Sequence, residues 1–238
     1  MPVVLIGGIL QDRREWDEAG YVARLERDNI VILMDPLGHG QSSKPIEPHQ
    51  YTYEAVARHT AAVVKHAGFG AAHLIGFSRG GWIAGWTAYL SPAIVLSCAI
   101  GSQTLSAASS KSIELGLSRA AALRSGDWDT YFASLPVQVD QERRERYANT
   151  NSPHAIAAAT LGARLHHFGV PPLSVRTLRF VGSDESSMGD IATEAATRAE
   201  LFAVLTGLDH YDVFDAGRLI CGLTAALRVS GSPVGGRQ

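Results

Sequence analysis

The stretch His73-Leu74-Ile75-Gly76-Phe77-Ser78-Arg79-Gly80-Gly81 decides how this chain is read. An apolar run ends in a glycine-flanked serine, and a helix-compatible segment from Trp82 to Leu90 follows. That is a strand, a pinched turn and a helix. Such a turn forces the residue at its apex, Ser78, into a backbone conformation that only side-chain-free neighbours tolerate. Its hydroxyl then stands clear of the sheet at a helix N-terminus, where backbone N–H groups stabilise negative charge. Gly-Phe-Ser-Arg-Gly alone is a short pattern, so the rest of the chain must supply its partners.

A serine hydroxyl near neutral pH is a poor nucleophile. It needs a base, and the base needs an orienting carboxylate. Downstream of Ser78 lies the strand-like run 176–181, followed by Gly182-Ser183-Asp184-Glu185. Later comes Leu205-Thr206-Gly207-Leu208-Asp209-His210-Tyr211. Serine, then acid after a late strand, then histidine is the chain order of the α/β-hydrolases, and on these residues nearly the whole chain resembles that family. Among nine histidines, His210 is preferred because it follows a strand and a glycine, where a loop can swing imidazole toward the serine. His166 and His167 fall in a helical insertion, and His39 in an early loop.

The resemblance leaves two carboxylates as candidates for the acid. The family often spaces it three residues after the strand-end glycine, which selects Glu185. The distance back from the histidine fits Asp184, and aspartate is the commoner residue in the role. Asp184 is therefore preferred, with Glu185 as the alternative. Asp209 reads as a loop-ordering residue and Asp190 as a helix-start residue.

Two earlier segments extend the likeness. Pro2-Val3-Val4-Leu5-Ile6-Gly7-Gly8-Ile9 reads as a buried strand ending in glycines. In the family the equivalent stretch usually reads His-Gly-X, and the backbone N–H of X is half of the oxyanion hole. Carried over, X is Ile9, and the second donor is the N–H of Arg79. Gly7 stands where the family most often has histidine. The segment Asp35-Pro36-Leu37-Gly38-His39-Gly40-Gln41-Ser42 is similar to the family's Asp-x-x-Gly-x-Gly-x-Ser loop, a structural feature below the site.

Strands are expected at 2–7, 29–34, 72–77, 94–100, 175–181 and 200–205. Helices are expected at 12–26, 52–68, 79–90, 189–198 and 214–229. Alternating strands and helices imply a mainly parallel α/β sheet with helices on both faces. The resemblance implies two further strands before residue 2, so the sheet is read as an α/β-hydrolase fold lacking them, either minimal or trimmed. The core is expected over 1–101 and 173–229. Between these spans, 102–172 reads as a helical cap insertion with helices at 110–125, 128–134, 141–148 and 153–168. Its expected pocket residues are Leu105, Trp128, Tyr131, Phe132 and Leu165, with Leu115, Leu117, Leu161 and Phe168 as further candidates. The mixed-charge run 142–146 reads as a solvated helix face, and the Gly, Ser and Pro-rich tail 230–238 as disordered.

The bulk properties exclude several classes. At 238 residues, with 46% hydrophobic and 18% charged residues, the chain suits one substantial globular core. A formal net charge of −2 provides no basic field for nucleic acid or an anionic membrane. Two cysteines, Cys98 and Cys221, suggest no disulfide framework. No apolar run is long enough to span a bilayer, and no signal core follows a charged start, so the expectation is a cytoplasmic protein. Neither metal-ligand spacing nor a complete dinucleotide fingerprint appears, so no cofactor is expected. The resemblance implies a Ser-His-Asp hydrolase cleaving a small, largely apolar ester or lactone through an acyl-enzyme. The alternatives are acyl transfer, thioester or C–C hydrolysis, lyase chemistry, or a ligand-binding receptor on the same fold. A small-molecule substrate is the expected partner, and the sequence sets no oligomeric state.

Overall fold

Strand β1 (Pro2–Ile6) carries apolar side chains on both faces, and both faces are covered. Val3 and Leu5 join Ile75, Phe77, Ala99, Leu178 and Phe180 in one core layer, closed by Trp16, Tyr21 and Phe214. Val4 and Ile6 point the other way, into a layer with Leu74, Cys98 and Ile100 against Val56, Ile83 and Trp86. Alternation along the strand puts neighbouring residues on opposite faces. Burial of both faces explains why the strands read as continuous apolar runs.

The computed structural model describes residues 1–164 and 168–225, with side chains through residue 222. Its sheet has six strands, all parallel, in the order β2-β1-β3-β4-β5-β6. After β1 come β2 (Ile30–Met34), β3 (Ala72–Phe77), β4 (Val95–Gly101), β5 (Thr177–Gly182) and β6 (Leu201–Leu205). Each lies within two residues of its expected position. The helices of the sheet layers are α1 (Arg14–Glu18), α2 (Tyr21–Leu25), α3 (Tyr53–His66), α4 (Arg79–Leu90), α9 (Met188–Thr197), α10 (His210–Asp215) and α11 (Gly217–Ala225). Four more, α5 (Ser110–Arg124), α6 (Trp128–Ala133), α7 (Gln141–Thr150) and α8 (Pro153–Gly162), lie between β4 and β5.

Two expected helices are broken. The one over 12–26 divides at Gly20, whose φ of 79° is left-handed and interrupts the helical path. The one expected from 214 begins earlier, at His210. There the Asp209 carboxylate accepts the N–H groups of Tyr211 and Asp212 at 2.8 and 3.0 Å, and Asp212 answers by accepting Asp209 N–H. This reciprocal cap starts the helix. The expected disordered tail and the last residues of that helix lie outside the described residues.

The four-helix insertion has a core of its own. Leu123, Tyr131, Phe132, Tyr147 and Ile156 pack together, and Leu10 from the loop after β1 joins them. A fully buried Arg179 on β5 ties other elements together. Its guanidinium pairs with Glu194 of α9 at 3.2 Å and Glu200 at 3.1 Å, and donates to the Gln103 carbonyl. Glu194 also accepts the Leu105 N–H at 2.8 Å and the Ser106 hydroxyl at 3.1 Å. That hub fixes the segment leaving β4. No helix among the described residues is long and apolar enough to cross a membrane.

Candidate active site

Ser78 sits between β3 and α4 with φ 51° and ψ −122°. The turn closes because its flanks are glycine: a Cβ on Gly76 would collide with the Gly80 carbonyl, and one on Gly80 with the Ile6 carbonyl. The carboxyl end of β3, the start of α4 and the end of β1 can meet only without those atoms. The Ser78 N–H donates to Gly101 O at 2.8 Å, and its carbonyl accepts Gly81 N–H at 2.8 Å. Its strained backbone is thus held from both sides.

His210, the first residue of α10, rests its ring against Phe77, the residue before the serine, with centroids 4.9 Å apart. Its Nδ1 lies 2.9 Å from Glu185 Oε2. The carboxylate facing the imidazole is therefore that of Glu185, and the preference for Asp184 is corrected. Asp184 faces elsewhere: its Oδ1 accepts the Ser183 hydroxyl at 2.7 Å, and its N–H donates to Leu208 O. The reason is the turn after β5. The Glu185 side chain folds back so that Oε1 accepts the Gly182 N–H at 3.2 Å, which leaves Oε2 for His210.

Oε1 also accepts the Ser102 hydroxyl at 2.5 Å. Ser102 was not among the expected site residues. Its φ of 50° is left-handed, as are those of Ser78 and of Leu10 in the loop after β1. Three of the four non-glycine residues with positive φ among the described residues thus stand around one site, a clustering that strain shows at functional positions. Burial by itself raises the Glu185 pKa, but the hydrogen bond and charge of His210, then Ser102 and Gly182, outweigh it. The carboxyl is held below its ordinary range.

Ile9 and Arg79 both line the cavity that Ser78 opens into. Among the described residues neither backbone N–H donates to another group of the chain. Arg79 begins α4, where the first N–H groups have no helical partner. The loop carrying Ile9 is organised without the histidine that Gly7 replaces. Instead, the buried Gln11 accepts the Gly8 N–H at 2.7 Å and approaches Glu15 Oε2 at 3.4 Å. Glu15 accepts the Tyr147 hydroxyl at 3.0 Å, and Asn151 Nδ2 donates to Leu10 O at 2.9 Å. The insertion therefore braces this loop directly. Burial raises the Glu15 pKa, with Arg146 and these donors opposing it.

The cavity, about 270 Å³, runs from Ser78 under the insertion. Of the expected pocket residues among those described, only Tyr131 lines it, joined by the further candidate Phe168. Leu105, Trp128 and Phe132 do not. Leu105 packs in the sheet's core, while Phe132 stacks with Trp128 inside the insertion. Leu161 packs against the same insertion core, Leu115 and Leu117 are exposed, and Leu165 lies outside the described residues, as do His166 and His167. The walls are more polar than expected, including Gln103, Thr104, Ser112, Arg119, Thr160 and Arg164.

Two other groups can be set aside. His73 Nδ1 and Ser97 Oγ meet at 2.7 Å, but this pair is buried between β3 and β4 near their amino ends, remote from the Ser78 turn. Asp35 accepts the Arg13 and Gln41 N–H groups at 2.7 and 2.9 Å, a loop-fastening arrangement. Burial and the Arg79 charge push His39 down to about 4. Among the described residues no group of three or more His, Cys, Asp or Glu side chains could hold a metal ion.

Over 96 residues, 34% are identical to an "AB hydrolase superfamily protein" of Gibberella zeae; the match covers 40% of this chain and spans only a third of the relative's length. In three dimensions the chain is similar to the enol-lactonase from Burkholderia xenovorans LB400, with a TM-score of 0.83 and 18% identity over 96% of this chain and 91% of that one. It is also similar to a thermophilic esterase from Thermogutta terrifontis, with a TM-score of 0.79 and 22% identity over 96% and 89%. At such identities the likeness is one of fold. A family model described as alpha/beta hydrolase fold matches residues 1–169, a span containing the oxyanion-loop candidate, the Ser78 turn and most of the insertion. Six parallel strands, a strained serine after the third and a match over more than half its length make this chain a member of the α/β-hydrolase fold family.

Proposed function

We propose that this hydrolase-family chain cleaves a small carboxylic ester or lactone through a Ser78–His210–Glu185 triad. The observation that carries the reading is the 2.9 Å contact of His210 Nδ1 with Glu185, beside a serine held at a left-handed φ. With Nδ1–H donated to Glu185, the imidazole presents an unprotonated Nε2 as base. Ser78 Oγ attacks the acyl carbon and its proton passes to His210. The tetrahedral oxyanion is received by the N–H groups of Ile9 and Arg79, each donor worth about 3–4 kcal/mol in comparable sites. The C–O bond to the leaving alcohol then breaks, and the alcohol takes the proton from His210. Water, deprotonated by the same histidine, attacks the acyl-enzyme; the acid leaves and Ser78 regains its proton. The esterase and enol-lactonase among the similar structures support this choice of bond by analogy only.

A fluorophosphonate probe, used beside a short-chain p-nitrophenyl ester, tests the reading. The wild type is expected to label once per chain and to turn over the ester, whereas Ser78→Ala does neither. His210→Ala is expected to lose both at neutral pH. A wild type that neither labels nor hydrolyses refutes the triad.

A further inference from the structure

Three arginines, Arg79, Arg119 and Arg164, line the cavity that contains Ser78, and no aspartate or glutamate lines it with them. Among the described residues none of the three is in an ion pair. The undescribed residues, 165–167 and 226–238, contain no aspartate or glutamate. Other cations of the chain, such as Arg179 and Arg198, do have carboxylate partners, so this grouping stands apart.

Each of the three is built into place. Arg119 donates to Ser134 Oγ at 3.0 Å and to Ser134 O at 2.5 Å. Arg164 Nη1 donates to Thr160 O at 2.7 Å, and its guanidinium lies across α5 where Gly116 has no side chain to obstruct it. Arg79 sits 5.4 Å over the Trp82 ring. Nε of Arg79 and Nε of Arg164 are buried without a hydrogen-bond partner. The charges also oppose one another. Burial, then the charge of Arg164, pulls Arg79 down to about 10; burial, then the charge of Arg119, lowers Arg164. Like charges held together repel, and an anion entering the cavity would relieve that repulsion. The fork of a guanidinium matches a carboxylate in geometry as well as charge.

We propose that the substrate carries a carboxylate, held by Arg79, Arg119 and Arg164, on a chain short enough to put its ester or lactone carbonyl at Ser78. The proposal rests on the hydrolase reading above and names the substrate class for the same site. The cavity's about 270 Å³ suits a half-ester or lactone acid of a few carbons better than a long acyl chain. It also replaces the sequence-based expectation of a largely apolar substrate.

The test compares mono-p-nitrophenyl glutarate with p-nitrophenyl butyrate, which differ chiefly in the distal carboxylate. The wild type is expected to prefer the half-ester in kcat/KM. That preference should fall at least about tenfold in Arg119→Gln and in Arg164→Gln, and hold in Arg124→Gln, an exposed arginine on the same helix. Calorimetric titration with glutarate reads the anion site without catalysis: binding to wild type should weaken by a similar factor in both cavity variants. An unchanged preference with undiminished glutarate binding overturns the carboxylate assignment but leaves the serine hydrolase standing. Inorganic phosphate binding more tightly than glutarate also overturns it, in favour of a phosphorylated substrate. Should neither ester be cleaved, the hydrolase reading fails, and glutarate binding alone then decides for or against the anion site.

Discussion

Replacing Glu185 by glutamine keeps the shape of the side chain and removes its charge, and the surrounding donors dictate which way the amide turns. Oε1 accepts two donors, the Gly182 N–H at 3.2 Å and the Ser102 hydroxyl at 2.5 Å, while Oε2 faces His210 Nδ1 at 2.9 Å. The Gly182 N–H cannot reverse its role. The glutamine oxygen must therefore stay on that side, which aims the amide NH2 at His210. Imidazole can meet that NH2 only by presenting an unprotonated Nδ1, so its proton moves to Nε2, the nitrogen required as base. A wrong tautomer of this kind in a comparable triad costs roughly 10⁴-fold in kcat. We expect a loss of about 10³–10⁴ in Glu185→Gln, with KM changed little and Asp184→Asn within about tenfold of wild type. Initial rates with a p-nitrophenyl ester, with circular dichroism to verify folding, provide the assay. Glu185→Gln retaining more than a tenth of the activity, with Asp184→Asn collapsing, would refute the assignment. The pH dependence has a definite sign. The folded-state pKa of Glu185 is held below its unfolded value, so its stabilising contribution is present above the unfolded carboxylate pKa. It is lost as pH falls through the folded one. Wild type should accordingly lose stability toward Glu185→Gln on acidification, and not toward alkaline pH.

Three further outcomes follow from the same contacts. Ser102→Ala removes one of the donors that hold the Glu185 pKa down, so the loss of stability on acidification should set in at higher pH than in wild type; an unmoved onset would argue that Ser102 has no influence on the carboxylate. Gln11→Leu leaves the Gly8 N–H without its acceptor, which should cost about 1–3 kcal/mol in urea unfolding. If Gln11 positions the Ile9 N–H, kcat should fall more than KM rises, because an oxyanion donor acts mainly in the transition state. Arg179→Met leaves Glu194 and Glu200, each with a side chain 6% exposed, without their shared cation. A loss of about 3–5 kcal/mol is expected, measured by chemical denaturation, and a loss below about 1 kcal/mol would show that Arg198, 3.0 Å from Glu194, suffices for that carboxylate and that Glu200 finds water or a proton instead.

What could be read from the sequence and what could not divides along a physical line. The six strands were legible because burial on both faces writes itself as short apolar runs between turn residues, as in Ile30–Met34 and Ala72–Phe77. The Ser78 turn was legible because two carbonyls approach positions 76 and 80 too closely for any residue but glycine. Sequence distance could not choose between Asp184 and Glu185, because the choice depends on how the side chain folds back onto Gly182. One of its donors, Ser102, comes from 83 residues away. The earlier start of α10 was hidden in the same way: Asp209 signals a cap only once Tyr211 and Asp212 are helical.

The polar cavity wall has a more general reason. Apolar residues of the insertion do not all face the cavity, because four helices standing off the sheet must first bury one another. Leu123, Tyr131, Phe132, Tyr147 and Ile156 do so, drawing Leu10 and with it the loop after β1 into the same core. Tyr131 and Leu135 serve both that core and the cavity wall, but most of what the insertion's helices add to the wall is polar: Ser112, Arg119, Thr160 and, just beyond α8, Arg164. Arg119 and Arg164 are isolated in sequence, one on α5 and one just beyond α8, and so form no pattern of the kind that the charge run at 142–146 shows. Within that run Arg143 pairs with Asp215 at 3.1 Å, and Arg146 pairs with Glu18 at 2.7 Å. Paired arginines on a surface have their counter-charge already; isolated ones that converge inside a cavity do not. That missing counter-charge is what a substrate carboxylate would supply. It makes the insertion both the brace for the candidate oxyanion loop and the source of two of the three charges that would select what reaches Ser78.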